Sequence, residues 1–305
     1  MANYHAKLSP SSAHRWSSCT ASVAAQEGLP NDGSEAARRG TACHLMLEEM
    51  LLDESIDPQS YLGRVLEFHD GSVGERWGDS PEPVCDNFLL AVVTIDQELI
   101  DISTTAVNYV RERVRLTGAE MHVEQAVPIG WFTGEEGATG RTDVVLIYGR
   151  TVEVIDLKGG SGRVNAYDVL VPAHTDIITN AEVPEKVRAN LQMACYALGT
   201  VEKFALFQEF DEVVMTIVQP ALEHVSSYWC SIDELREVEA FLKAKAEETR
   251  TNPQFVPTPD NCHFCRAAGN CKAQTEMAMN LALEGFDSEE PRPRKVPDME
   301  LGQAY

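Results

Sequence analysis

The sequence predicts an α/β domain, a mixed central sheet flanked by helices, and three observations predict it. Short strand-like runs, the alternating MHVEQAV and the apolar VVLIY, VEVID and EVVMTIVQ, are interspersed with segments whose apolar residues return every three or four positions. Gly149-Arg150 separates a run ending at Tyr148 from one starting at Thr151, the signature of a β-hairpin. Finally, 305 residues with 44% hydrophobic side chains suffice to bury a substantial core without staples.

In chain order, Leu8-Ser9-Pro10-Ser11-Ser12 opens a helix with Ser9 as N-cap and Pro10 at the first helical position, and this helix leads into Ser17-Ser18-Cys19. Residues 26–40 are a loop of turn formers with a second helix starting near Ser34. From Thr41 the run TACHLMLEEMLLDE is helical and sets His44 and Glu48 on one face; a lone histidine among Leu and Met is more often a packed core residue than a ligand. Residues 53–85, rich in Asp, Gly, Ser and Pro, are expected to form an irregular surface insertion, and Asp86 to Leu116 one long amphipathic helix lying on the sheet. Glu120 to Val127 alternates as a strand, on which Glu124 reads as an exposed carboxylate that could also touch a neighbouring site.

The hairpin that follows carries the chemistry. Asp143 heads one strand and Asp156 nearly ends the next; Val152, Val154, Asp156 and Lys158 lie two apart and share a face. Two carboxylates and an ammonium can converge there, and a hard cation such as Mg²⁺ takes one or two carboxylates with water and phosphate oxygens. The bland alternative is a solvated hairpin.

Beyond it, GGSGRVNAYDV lacks the GxxxxGK[ST] pattern and is not read as an ATP phosphate cradle. Residues 169–185 read as a loop with a short strand, and a helix from Lys186 to Gly199 projects Gln192 and Tyr196 from one side, by default its polar edge. Val201–Gln208 and Glu212–Gln219 read as strands, the second stopped by Pro220, and Ser231 with Glu234 forms a capping box for a helix to Thr249. The segment around PQFVPTPDNCHFCRAAGNC is extended and turn-rich. Residues 1–285 are read as one domain, and 286–305 as a flexible acidic, proline-containing tail.

A net charge of −23 argues against bulk attraction to nucleic acid. The bases Arg38, Arg39, Arg141, Lys158, Arg163, Arg266 and Lys272 would instead have to line a narrow groove. No run approaches the roughly 18 apolar residues that cross a bilayer, and the opening residues lack a signal peptide's apolar centre, so a cytoplasmic location without membrane contact is expected.

Eight cysteines in a cytoplasmic chain are poor disulfide candidates. Cys43, Cys85, Cys195 and Cys230 sit singly in apolar or helical contexts and read as packing residues. Cys262-x-x-Cys265-x5-Cys271 supplies three thiolates, and Cys19, in a short polar loop, is the candidate fourth; His263 is a possible substitute, and Zn²⁺ remains an alternative occupant. A tie between such distant positions could contribute about 5 kcal/mol on a chain-entropy estimate.

Taken together, the SPSSAHRWSSC opening, Gly40-Thr41-x-x-His44, Gly140-x-x-Asp143, Asp156-x-Lys158, Gln192-x-x-x-Tyr196 and the late cysteines resemble, in this order, the RecB-like branch of the PD-(D/E)XK nuclease superfamily. The iron–sulfur members and phage-encoded relatives are the nearest in pattern. The resemblance implies a restriction-endonuclease-like core whose two ends are tied by a four-cysteine cluster. It implies His44, Asp143, Asp156 and the Leu157 carbonyl as ligands of Mg²⁺ or Mn²⁺, with Lys158 as the triad lysine. Gln192 and Tyr196 would lie near the scissile phosphate. Cys19, Cys262, Cys265 and Cys271 would hold a [4Fe–4S] cluster. The activity it implies is a metal-dependent DNase, an exonuclease in phage recombination or replication in the host cytoplasm. DNA ends would be its partner, with a recombinase or single-strand-binding protein and an oligomeric state as further possibilities. The alternative is a catalytically silent nuclease-like module that binds DNA ends, loads a recombinase or inhibits a host defence complex.

Overall fold

A computed structural model describes residues 6–30, 33–69, 75–78, 89–172, 174–175, 182–183 and 185–286. Cys85, the tail from Asp287 onward and parts of the expected 53–85 insertion lie outside the described residues.

The chain begins with α1 (Ala13–Ser18), α2 (Ser22–Ala25) and α3 (Glu35–Leu52), followed by β1 (Val65–His69), β2 (Glu75–Trp77), β3 (Leu89–Thr94) and α4 (Gln97–Thr117). Next come β4 (Glu120–Pro128), α5 (Gly130–Thr133), β5 (Thr139–Tyr148), β6 (Thr151–Leu157), β7 (Tyr167–Val171), β8 (His174–Thr175), β9 (Glu182–Val183) and β10 (Lys186–Ala189). The last elements are α6 (Leu191–Phe204), β11 (Glu212–Gln219), β12 (His224–Ser231), α7 (Ile232–Thr251), α8 (Pro259–His263) and α9 (Lys272–Phe286).

The central sheet has the order β12-β11-β6-β5-β4, with β6 and β11 parallel and the other pairs antiparallel. A parallel pair needs a crossover, and the segment containing α6 supplies it. Strand alternation then divides the core. Val145, Val154 and Met215 pack with Trp16, Leu191 and Leu198 on one face, whereas Val144, Leu146 and Leu157 pack with Met46, Leu47, Ile100 and Val107 on the other. The fold is thus a mixed α/β domain with helices on both sides of its sheet, as its alternating runs predict.

Local chemistry sets the boundaries. Gly149 takes φ +57° in the two-residue loop between β5 and β6, a backbone conformation that favours glycine. Ser34 accepts from the Ala37 amide at 3.1 Å, and Ser231 and Glu234 form the expected reciprocal box at the start of α7.

Four expectations fail. The irregular insertion contains strands instead: β1, β2 and β3 form an antiparallel sheet of order β2-β1-β3, and the expected long helix 86–116 is β3 followed by α4. The run LLAVVT fits either period; Asp96 decides the boundary by accepting from the Leu99 amide at 2.9 Å, so that the helix starts at Gln97. Lys186–Ala189 pairs with β7, and the Asn190 side chain, accepting from the Gln192 amide at 3.0 Å, delays the helix to Leu191. Val201–Gln208 is no strand: α6 continues through Phe204, and the fifth strand of the sheet is β12.

Close packing of α6 positions the site. A Cβ on Gly199 would stand 2.9 Å from both the Pro128 carbonyl oxygen and Val127 Cβ, so glycine lets the helix lie against β4. That seating lowers Gln192 and Tyr196, one and two turns into α6, onto the ends of the hairpin strands.

Candidate active site

Three neighbouring strands bring three carboxylates into one row. Val123 pairs with Val144 and Gln125 with Thr142, so Glu124 on β4 stands opposite Asp143 on β5. Val144 pairs with Ile155, so Asp143 in turn meets Asp156 one step beyond the last pair with β6. Glu124 adopts φ +50°, which a non-glycine residue takes at a cost on the order of 1–3 kcal/mol. The residue also reverses the alternation of β4, because Val123 packs on the second core and Val127, of the same parity, lies in the first.

His44 arrives from α3. Its Nδ1 lies 3.0 Å from Asp143 Oδ1, and its side chain is 32% exposed rather than sealed in the core. Ligand atoms of His44, Glu124 and Asp143 all lie within 4.8 Å of one another. The second Asp143 oxygen accepts from the Leu157 amide at 2.7 Å, which fixes the carboxylate plane and locks the end of β6 to β5.

On the far side of Asp143, Lys158 Nζ lies 3.0 Å from Asp156 Oδ2 and donates to Gln192 Oε1 at 3.0 Å. The Gln192 amide nitrogen donates to Asp156 Oδ1 at 3.3 Å and to the Tyr196 hydroxyl at 3.2 Å. Gln192 therefore orients both charged groups, and Gln192 and Tyr196 are part of the cluster, not merely a polar helix edge. Gly140 explains why the SPSS opening belongs to this region: a Cβ there would stand 2.8 Å from Pro10 Cγ and 3.3 Å from the Tyr196 ring.

Glu124 is the residue that the strand pattern misplaces. Its side chain is only 9% exposed, and Arg141, which also reaches Glu48 at 3.5 Å, pairs with it. Strict alternation cannot reveal a left-handed residue that turns its carboxylate inward; the signal was the site's need for another oxygen beside Asp143.

The electrostatics follow from burial and crowding. Burial alone would lower the His44 pKa, but the Asp143 carboxylate, aided by Asp156 and Glu124, raises it to about 9. Burial and the Asp143 charge push Glu124 up to about 7 against the pull of Arg141 and His44. Burial also raises Asp156, with Lys158 opposing and Asp143 assisting. A cation bound among these groups would oppose the rise at Glu124 and Asp156 and would compete with the proton on His44.

Most of the bases expected in a groove are already engaged. Arg39 pairs with Asp96 and Glu98 at 2.9 and 2.8 Å, Arg266 donates to the Leu29 carbonyl at 2.5 Å, and Lys272 lies 3.6 Å from Glu276. Arg163 instead meets His224.

Away from the sheet, Cys19, Cys262, Cys265 and Cys271 line one small pocket of about 20 Å³ with Phe255, Pro257 and Ala267. Cys19 accepts from the Val256 amide at 3.3 Å, and burial raises its thiol pKa. Among the described residues, three of these sulfurs do not gather as closely as the His44 group does. His263 is exposed and stacks edge-on with Phe264, outside the pocket lining. Hydrogen bonds already join the ends: Ala21 donates to the Gln254 carbonyl at 3.0 Å, the Gln254 amide to Thr20 Oγ at 2.8 Å, and the Arg266 amide to Gln26 at 3.1 Å. Cys43, Cys195 and Cys230 are buried, as expected of packing residues.

A pH dependence of stability follows. The folded His44 pKa of about 9 lies above the ordinary histidine value of 6.5, so its pairing with Asp143 contributes fully below pH 6.5 and is lost as pH rises through 9. Glu124, raised from 4.5 to about 7, acts in the same direction at lower pH, because the folded state keeps a proton that the unfolded state has released. In chelator, the melting temperature should fall from pH 6.5 to 9, and His44→Ala should flatten that fall. A rise over this interval contradicts the assigned pairing.

No helix of the described residues is long and apolar enough to cross a membrane. Among solved structures, the chain is similar to the crystal structure of SSO0001, at 17% identity and a TM-score of 0.26, over 58% of this chain and 76% of that one. Residues 5–305 match the family described as "Protein of unknown function (DUF2800)", and with nearly its whole length covered the chain belongs to that family.

Proposed function

We propose that the protein is a metal-dependent deoxyribonuclease of the PD-(D/E)XK type, acting on DNA ends. One observation carries this reading: Asp143 and Asp156 on adjacent strands share a cluster with His44, Lys158 and Gln192 at the end of a mixed sheet. The donor set suits Mg²⁺ or Mn²⁺, because His44, Glu124 and Asp143 offer two carboxylates and one imidazole within 4.8 Å of one another, with Asp156 on the strand beside Asp143. Such an ion would supply positive charge against phosphate oxygens and would acidify a water.

The side chains have distinct tasks in this reading. His44, Asp143 and Asp156 hold the cation, and Glu124 adds an oxygen that the family pattern does not include. Lys158 orients the attacking water and offsets charge that builds on phosphorus. Gln192 keeps Lys158 and Asp156 in register, and Tyr196 backs Gln192. With Mg²⁺ or Mn²⁺, linear DNA should be degraded and EDTA should stop the reaction; Asp156→Asn and Lys158→Ala should each lower the rate by about 10²–10³ while remaining folded. Undiminished cleavage by either variant refutes the assignment, and DNA binding without cleavage by the wild type would favour a silent DNA-end-binding module.

We propose a [4Fe–4S] cluster as structural cofactor, with structural Zn²⁺ as the alternative, because Cys19, Cys262, Cys265 and Cys271 line one pocket and their spacing resembles that of the iron–sulfur nucleases. Protein purified without oxygen should be brown, with iron and acid-labile sulfide that Cys262→Ser diminishes. A colourless preparation with stoichiometric zinc overturns this assignment.

A further inference from the structure

The loop that leaves Lys158 is built more firmly than a glycine-rich connection requires. Lys158 donates its backbone N–H to the Val218 carbonyl at 2.9 Å, and Val164 donates to Gln219 Oε1 at 2.7 Å. The two ends of the loop are therefore fastened to successive residues of β11. The same Gln219, fully buried, donates its amide nitrogen to the Gly162 carbonyl at 2.9 Å, and Ala166 donates to Ser226 Oγ at 3.0 Å. Residues 159–163 are exposed above these anchors, and a Cβ added to Gly159 would stand 4.0 Å from Gly40 Cα, so the start of the loop lies beside the helix that carries His44.

The one cationic side chain on this loop is Arg163, and its partner is unusual for this chain. Its guanidinium donates to His224 Nδ1 at 3.1 Å, and His224 Nε2 lies 3.0 Å from Asn165 Oδ1. Arginine cannot accept a hydrogen bond, so Nδ1 is the acceptor, and His224 is the neutral tautomer that donates from Nε2. Arg163 is thus oriented without being neutralised. Among the described residues no carboxylate lies within ion-pair distance of it; Arg15, Arg111 and Arg266 also lack one but donate to backbone carbonyls, whereas Arg39, Arg113, Arg141, Arg150, Arg188 and Arg250 each pair with an acid. In a protein of net charge −23, an exposed arginine held by an imidazole and kept clear of acids is poised for an external anion.

We infer that Arg163 binds a phosphate of the DNA strand adjacent to the one at Lys158, and so fixes the strand's register in the site. The inference rests on the nuclease reading for the identity of the anion. Its chemistry is that of a guanidinium fork on a phosphodiester, a contact with backbone and not with bases, so the grip is independent of sequence.

The test compares wild type, Arg163→Ala, Arg163→Lys and, as a control for charge alone, Arg150→Ala at the opposite end of β6. A fluorescein-labelled single-stranded oligonucleotide is titrated in Ca²⁺ at several salt concentrations, and cleavage of linear DNA is followed in Mg²⁺. Arg163→Ala should weaken binding about tenfold or more and lower the salt slope by about 0.7, the value for one lost single-strand phosphate contact. It should raise KM with little change in kcat, and Arg163→Lys should recover part of the affinity. A slope and KM that match wild type or Arg150→Ala overturn the inference, as does a wild-type protein that does not bind the oligonucleotide. Arg163-dependent binding without cleavage keeps the phosphate contact and removes the nuclease reading instead.

Discussion

The Asp143 carboxylate is the interaction on which the rest of the site depends. One oxygen faces His44 and the other accepts the Leu157 amide, so a single side chain joins α3, β5 and the end of β6. Its fixed orientation determines where Glu124 and Asp156 crowd against it from either side. Like charges that close would repel if all were ionised; the raised pKa values of Glu124 and Asp156, and the imidazolium favoured at His44, are how the metal-free protein tolerates the arrangement. A divalent cation placed among these carboxylates would offset the same crowding.

The sheet and its helices serve this constraint. Parallel pairing of β6 with β11 requires a crossover, the crossover brings α6 back over the first core, and Gly199 lets that helix approach β4 closely enough for Gln192 to reach Lys158 and Asp156. On the other face, the Leu and Met residues of α3 fix its rotation, which aims His44 past the sheet toward Asp143. Apolar packing thus places polar groups whose mutual interactions would not by themselves justify their burial.

Much of this was legible from spacing. The hairpin, its turn glycine and the shared face of Asp156 and Lys158 follow from a period of two and a two-residue loop, and both are local properties. Gln192 and Tyr196 were legible as a helical pair, although their partners were not. What escaped depends on events that no local period records. Glu124 turns inward because one left-handed residue inverts its strand; the run at Leu89–Thr94 carries apolar residues compatible with either period until Asp96 caps the next helix; and β12, whose serines dilute its alternation, is a strand because β11 offers it an edge. The four cysteines were assembled by elimination, and they do meet in one pocket, but the spacing of their sulfurs is a tertiary property.

The central claim is that the His44, Asp143 and Asp156 cluster, with Glu124 beside it, is a cation site. Crystals grown in Mn²⁺ and measured above and below the manganese absorption edge test it directly. The account predicts an anomalous peak bounded by His44 Nδ1 and the Asp143 carboxylate, with Glu124 or Asp156 completing the protein ligands. Manganese bound elsewhere on the acidic surface while His44 keeps its direct contact with Asp143 would contradict it.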